Sequence, residues 1–203
     1  RQGPEGSALS EHMTTFVNSV MAGYLGYQPQ DMIGRPIVDF MFPEDLPEHR
    51  LRMRERHEGR QGDYERRFRH ANGEERWLHV SATPLVEADR GFLGSFAMLL
   101  DITERKQSEE KLRQAAAVFE NTIEGVMITD PDARIVAVNR AFTEITGFGE
   151  AEALGRNASF MQSGKHDDEY YQAMWQALDR GGSWRGEIWN RRKSGEIYPE
   201  WLT

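Results

Sequence analysis

The sequence predicts an α+β fold written twice: in each copy an antiparallel sheet carries short helices over one face, and a long helix joins the copies. Three observations predict it. Asn18, Gly26, Gly34 and Arg35 recur as Asn139, Gly147, Gly155 and Arg156, all at an offset of 121 residues. Each copy then carries a turn between runs of strand formers, Asn72-Gly73-Glu74 in the first and Ser194-Gly195-Glu196 in the second. Finally, residues 104–123 contain neither Gly nor Pro and begin on a helix-start pattern.

The second copy reads more cleanly. Residues 125–129 form a short strand, Asp130-Pro131-Asp132-Ala133 a turn, and 134–138 the return strand. Asn139 caps a short helix carrying Phe142 and Ile145, which Gly147 stops. Asp167 or Asp168 caps a helix with Tyr170, Tyr171, Met174, Trp175 and Leu178 on one face, ended by Gly181-Gly182. A strand follows over 184–192, then a turn at Lys193-Ser194-Gly195-Glu196 and a further strand from 197. The first copy has the same order, with Glu5-Gly6 ahead of Asn18 as Glu124-Gly125 stands ahead of Asn139. Its strands are expected at 63–70 and 75–86, and a third opens at Gly91. Apolar residues there fall on both parities, so a terminal helix or a partner subunit is expected over the outer face.

Between the copies, Asp101 stands three residues before Glu104, the spacing of a capping box, and Thr103 is a second N-cap candidate. A helix over 104–123 would be ~30 Å long. Its first half is polar, with Glu109–Arg113 and Lys106–Glu110 at i,i+4. Its second half places Leu112, Ala116, Phe119 and Ile123 on one narrow seam. Such a helix is a connector: either a solvated rod, or one that pairs with its copy in a dimer.

Composition excludes several chemistries. With no Cys, the chain has no disulfide, thiolate nucleophile or Cys-bound zinc. A net charge of −8 disfavours nucleic acid and anionic membranes. No apolar run reaches the ~18 residues of a span, so no membrane insertion is expected, and the reading is cytoplasmic. The chain opens on Arg1, as a piece of a longer protein would. Six scattered His make no ligand pattern, and no nucleophile–base constellation is visible; the expectation is that this is not an enzyme. Arg50, Arg52, Arg54 and Arg56, interleaved with Glu55 and Glu58, read as a solvated helix face.

On the Asn…Gly-aromatic…Gly-Arg spacing of both copies, the Gly-Glu hairpins, and Asp101-Ile102-Thr103-Glu104-Arg105-Lys106, the chain resembles the PAS family of sensory domains. The last string is similar to the Asp-Ile-Thr motif with which PAS domains hand over to an output helix. The resemblance implies two PAS domains, each a five-stranded antiparallel sheet in the order 2-1-5-4-3: residues 1–103, a signalling helix over 104–120, and residues 121–203. Only eight residues follow Gly195 where 28 lead from Gly73 to Asp101, so the second domain is expected to be truncated, without its last strand.

Cofactor expectations follow from the same resemblance. The run from Gly155 to Gln162 is similar to the Gly-x-Asn-Cys-Arg-Phe-Leu-Gln motif of flavin-binding light-oxygen-voltage domains, but Ala158 stands at the reactive cysteine, so no sulfur adduct can form. Trp184-x-Gly186-x-x-x-Asn190-Arg191-Arg192-Lys193-x-Gly195 resembles redox and aerotaxis PAS domains that hold FAD non-covalently. FAD there would use Met161, Trp175, Trp184 and Ile188 as the slot and Asn157 and Asn190 as the amides. His166 lies in a string similar to the proximal helix of haem-binding PAS sensors, and is the one haem candidate. The default remains no cofactor, since aromatics at these spacings are ordinary core, and the first copy is expected to be cofactor-free.

The function expected is a sensory input module: a small ligand, redox state or partner shifts a population, and the connecting helix relays it to an output domain outside this chain, a diguanylate cyclase, phosphodiesterase or histidine kinase. The relay residues are Asp101, Thr103 and Glu104 at the hinge and Leu112, Ala116 and Phe119 on the seam, with a homodimer formed through the helix and the sheet faces. Two alternatives stay open, a ligand-free dimerisation scaffold and an FAD-based redox sensor through the second copy.

Overall fold

The computed structural model describes residues 13–203, which fall into two compact units, the first ending at Glu110 and the second running from Lys111 to Thr203. In the first, α1 (Ser19–Tyr24) and α2 (Pro29–Met32) are followed by two 3-10 turns, Ile37–Phe40 and Pro43–Asp45, and by α3 (Leu46–His57). Strands β1 (Gly62–Arg69), β2 (Glu75–Glu87) and β3 (Gly91–Asp101) form one antiparallel meander in the order β1-β2-β3. Met21, Leu25, Met32 and Phe40 pack against Phe68, Leu78 and Val80 of the sheet. Period two along β3 turns Ala97 and Leu99 to this core and leaves Phe96, Met98 and Leu100 exposed on the opposite face. Both parities are thus apolar, as the sequence reads, yet among the described residues only one face is covered.

The second unit opens with the antiparallel pair β4 (Met127–Thr129) and β5 (Ile135–Val138). Then come α5 (Arg140–Thr146), α6 (Glu150–Ala153), a 3-10 turn Ala158–Met161, and α7 (Asp168–Gly181); β6 (Gly186–Arg191) and β7 (Ile197–Leu202) form a second hairpin. Ile135, Val138, Phe142, Ala153 and Met161 make its core. Asn139 and Asp167 cap α5 and α7, and Gly147 and Gly182 stop them in left-handed backbone, φ 78° and 68°.

The repeat survives at the level of single hydrogen bonds. Ala71 N–H donates to the Leu25 carbonyl (2.8 Å), and Lys193 N–H to that of Thr146 (2.9 Å). His70 donates to Glu74 (2.8 Å) as Arg192 donates to Glu196 (2.9 Å), closing the two hairpins alike. Gly26 is required at this junction, because at φ 75° a Cβ would stand 2.4 Å from the His70 ring.

The described residues hold parts of the expected order 2-1-5-4-3: β1-β2-β3 as its 3-4-5 meander, β4-β5 as its 1-2 pair and β6-β7 as its 3-4 pair. In the first unit, only a Met13–Pro36 bridge precedes α1, and Glu5-Gly6 lies outside the described residues. In the second, the two hairpins share no hydrogen-bonded neighbour among the described residues, the arrangement of a domain without its last, central strand. Other expectations are corrected. The long helix, α4, runs Thr103–Asn121 and leaves Ile123 outside, 87% exposed. The cause is long-range: the Phe119 carbonyl, which would accept from residue 123 in a longer helix, accepts instead from Asn139 Nδ2 (3.0 Å). Thr103 does not cap its own helix. Its hydroxyl accepts from Trp77 N–H (3.0 Å) while Asp101 accepts from Thr103 N–H (2.8 Å), so β2 and the helix start are tied together. Arg50 and Arg54 of α3 are exposed, as a solvated face requires, but Arg56 is buried with Arg66 of β1.

Candidate functional site

The second unit encloses a cavity of about 410 Å³ between β4, the 3-10 turn, α7 and the β6–β7 hairpin. That volume lies in the range of small-molecule sites. Asn157, Met161, Trp175, Trp184, Ile188 and Asn190, far apart in sequence, all stand around it. Met161 comes from the 3-10 turn that Asn157 caps, Trp175 from α7, and Ile188 and Asn190 from alternate, inward positions of β6. Trp184 is fixed by a missing side chain: a Cβ on Gly186 would stand 2.5 Å from its indole, so the Trp-x-Gly spacing lets the ring lie on the strand.

These six are not equivalent. Met161 and Ile188 are buried and supply apolar wall, while Trp175 is nearly half exposed and forms the rim. Asn157 is exposed and its amide is already used, donating to the Asp132 carbonyl (3.1 Å) and accepting from Ser159 N–H (3.0 Å). It is therefore a structural cap, with one N–H and one oxygen lone pair still open among the described residues. Asn190 Nδ2 donates to Glu200 Oε1 (2.7 Å), and Tyr198 donates to Glu200 Oε2 (2.9 Å). Burial, then the Glu200 charge, pushes the Tyr198 hydroxyl well above its ordinary pKa, so it stays a donor to that carboxylate. His166 is not among the cavity residues. Its Nε2 accepts from Trp189 N–H (3.2 Å) and its ring stacks on Tyr170 at 4.0 Å, so it is not placed as a haem ligand.

Two lining residues were not singled out from the sequence. The Tyr171 hydroxyl is buried with no hydrogen-bond partner among the described residues, and burial raises its pKa. It shares the apolar face of α7 with Met174 and Leu178, which marked it as core. Glu200 alternates with Tyr198 and Leu202 on the inward face of β7, a period-two signal that was legible. Among the described residues, no cluster of three or more His, Cys, Asp or Glu is arranged to hold a metal ion, and no helix is long and apolar enough to cross a membrane.

The relay residues divide between the ends of α4. At its start, Asp101 and Thr103 make the contacts given above, and Lys106 and then Arg105 hold the Glu65 carboxyl below its ordinary pKa range. Glu104 is exposed. On the seam, Leu112 is 71% exposed, Ala116 is exposed and Phe119 is half-buried. At its end, Asn139 is fully buried and uses its whole amide: it accepts from Val126 (2.8 Å) and Phe142 (2.9 Å) N–H and donates to the Phe119 (3.0 Å) and Glu124 (2.9 Å) carbonyls.

Helices laid over one face of an antiparallel sheet, with a cavity beneath them in the second unit, define a small α+β domain. The PAS domain family matches residues 4–104 and again 123–202, and the chain belongs to that family. It is 37% identical over 73 residues to a nitrogen fixation regulatory protein of Klebsiella oxytoca, an alignment covering 36% of this chain and 15% of that one. The oxygen sensor protein DosP of Escherichia coli (strain K12) is 30% identical over 146 residues, 69% of this chain and 18% of its own. A blue-light-activated histidine kinase of Rhizobium johnstonii is 35% identical over 94 residues, 45% of this chain and 27% of the kinase. A solved sensory box histidine kinase/response regulator from Burkholderia thailandensis aligns with 50% of this chain and 78% of its own, at 20% identity and a TM-score of 0.42. The chain thus spans less than a third of the length of these curated relatives. Its PAS domains are sensory, not catalytic, and it is a sensory input module.

Proposed function

We propose that the second unit senses a ligand whose flat ring enters its cavity and that α4 relays the change to an output domain elsewhere in the parent protein. The observation that carries this is the buried Tyr171 hydroxyl, without a hydrogen-bond partner among the described residues, on a wall that mixes apolar side chains with Thr129, Ser159, Gln162 and Asn190: an unpaired buried hydroxyl is unfavourable, and a ligand acceptor reaching it would satisfy it. FAD is the candidate favoured by the sequence resemblance. Met161, Trp184 and Ile188 would flank its ring, Tyr171 would donate to a ring acceptor, and bound FAD would supply reversible redox chemistry. Ala158 and the absence of cysteine leave the hold non-covalent.

The test is the absorption spectrum of chain purified from cells, followed by FAD titration monitored by quenching. Flavin bands, or saturable quenching weakened about fivefold by Tyr171→Phe, support the reading. Colourless protein that leaves FAD emission unchanged would replace it with the ligand-free scaffold. We further propose a cytoplasmic homodimer through the exposed seam of α4 and the outer sheet face of the first unit. Leu112→Glu should shift elution to the monomer volume; an unchanged volume counts against the seam.

A further inference from the structure

Burial of cations in the first unit is not matched by burial of anions. Arg66 of β1 points into the core beside α3, its side chain only 2% exposed. Its Nη1 lies 3.0 Å from His49 Nδ1, and among the described residues no hydrogen-bond partner takes its Nε or Nη2. Glu48 is the nearest carboxylate, but at 3.6 Å from Nη2 it is beyond hydrogen-bond range and itself half exposed. Two more guanidiniums converge here. Arg56 is buried and donates to the Tyr64 hydroxyl, Arg52 is bound by Glu55 (3.2 Å), and the Nε of each is also buried without a hydrogen-bond partner among the described residues, that of Arg52 lying 3.6 Å from Glu48. Arg66, Arg52 and Arg56 stand 4.8, 5.2 and 5.8 Å from the Tyr64 ring. Among the described residues, three guanidiniums thus face two carboxylates, Glu55 bound to Arg52 and Glu48 standing off at 3.6 Å from Arg52 and Arg66, and His49 adds no balancing charge. Burial, then Arg66, Arg56 and Arg50, lower the His49 pKa to about 4, so its imidazole is neutral near pH 7 and accepts from Arg66.

A buried guanidinium with open donors is strongly unfavourable unless an anion meets it. The forked N–H groups of arginine match the two oxygens of a carboxylate or phosphate. We propose that the first unit carries its own site, between α3 and β1, for a small oxyanion, a carboxylate or phosphate group, held by Arg66 and Arg56 with Arg52 at the entrance. It is independent of the cavity in the second unit and would make the chain a sensor of two inputs. The exposed side of the site is marked by Arg52, about one-third exposed, and Glu48.

The probes are inorganic phosphate and succinate, each titrated into the full chain at constant ionic strength against chloride. Readouts are the melting temperature and the His49 imidazole resonance. The expected result is saturable stabilisation by one or both probes, with the His49 pKa rising as the added negative charge offsets its cationic neighbours. A response to phosphate alone or succinate alone assigns the ligand class. Arg66→Met should weaken binding at least about tenfold, and Arg54→Gln, on the exposed side of α3, should leave it unchanged. Should Arg66→Met fail to fold, Arg52→Gln serves, with several-fold weakening expected. No saturable response to either probe in the unaltered chain, or an equal response in the Arg66 or Arg52 variant, overturns the proposal and leaves the cluster as a cation–π stack on Tyr64.

Discussion

Asn139→Ala would remove the one side chain that both caps α5 and ends α4. Its four hydrogen bonds differ in consequence. Losing the bond to Phe142 N–H removes an N-cap, typically ~1 kcal/mol. Val126 N–H and the Phe119 carbonyl are partly buried, and leaving each unpaired costs ~1 kcal/mol or more. The Glu124 carbonyl belongs to an exposed residue and can take water instead. The sum is about 3 kcal/mol, a large fraction of the 5–15 kcal/mol typical of a domain. Urea unfolding followed by tryptophan emission isolates this unit, since four of the five tryptophans (Trp175, Trp184, Trp189 and Trp201) lie in it. Asn18 supplies an internal control at the same place in the repeat. It is exposed, and among the described residues its side chain accepts from Met21 N–H at 2.8 Å, the cap bond alone, so Asn18→Ala should cost ~1 kcal/mol. Equal losses at the two positions, or a loss below ~1 kcal/mol at Asn139, would refute the view that its long-range bonds, beyond the cap alone, hold the end of α4.

Three shorter predictions follow from other contacts. Thr103→Val keeps the shape of the side chain but strands the Trp77 N–H, and should lower the stability of the first unit by ~1–2 kcal/mol; an unchanged urea midpoint would remove this link from the relay. Gly186→Ala should push the Trp184 indole off β6, with a shift in tryptophan emission and a loss of ~1–3 kcal/mol; unchanged emission would show that the ring does not rest there. The folded pKa of His49 is depressed to about 4 from an ordinary 6.5, so between these values the unfolded chain binds the extra proton. The first unit should therefore lose stability as pH falls from 6.5 towards 4, and His49→Gln should flatten that slope. A pH profile identical to that of the unaltered chain would refute the burial argument.

Much of this architecture was legible because its signals are local. Asn139, Gly147, Asp167 and Gly182 act within a turn of their own positions, and the hairpins at Gly73 and Gly195 close on neighbouring residues. The cavity was legible at one remove, since the inward parity of β6 and the apolar face of α7 bring Ile188, Asn190 and Trp175 together. What was not legible depends on distant partners. The end of α4 is set by a side chain 20 residues away, and the Thr103 hydroxyl is taken by Trp77, 26 residues away. Asn157 was read only as a ligand amide because sequence cannot show that Asp132 and Ser159 also hold it. The arginine cluster was hidden for the opposite reason: alternation along β1 puts Arg66 between Tyr64 and Phe68 on the inward face, a place composition alone assigns to an apolar residue.

The bare apolar row on β3 has a thermal consequence. Any assembly that covers Phe96, Met98 and Leu100 is driven by release of water from hydrocarbon, so it should tighten on warming from the cold and respond little to moderate salt. The ion pairs that Glu65 makes with Arg105 and Lys106 behave in the other sense, since they are screened as ionic strength rises. Cold and brine would therefore act on different parts of this molecule, the first on how copies meet, the second on how firmly the start of α4 is seated.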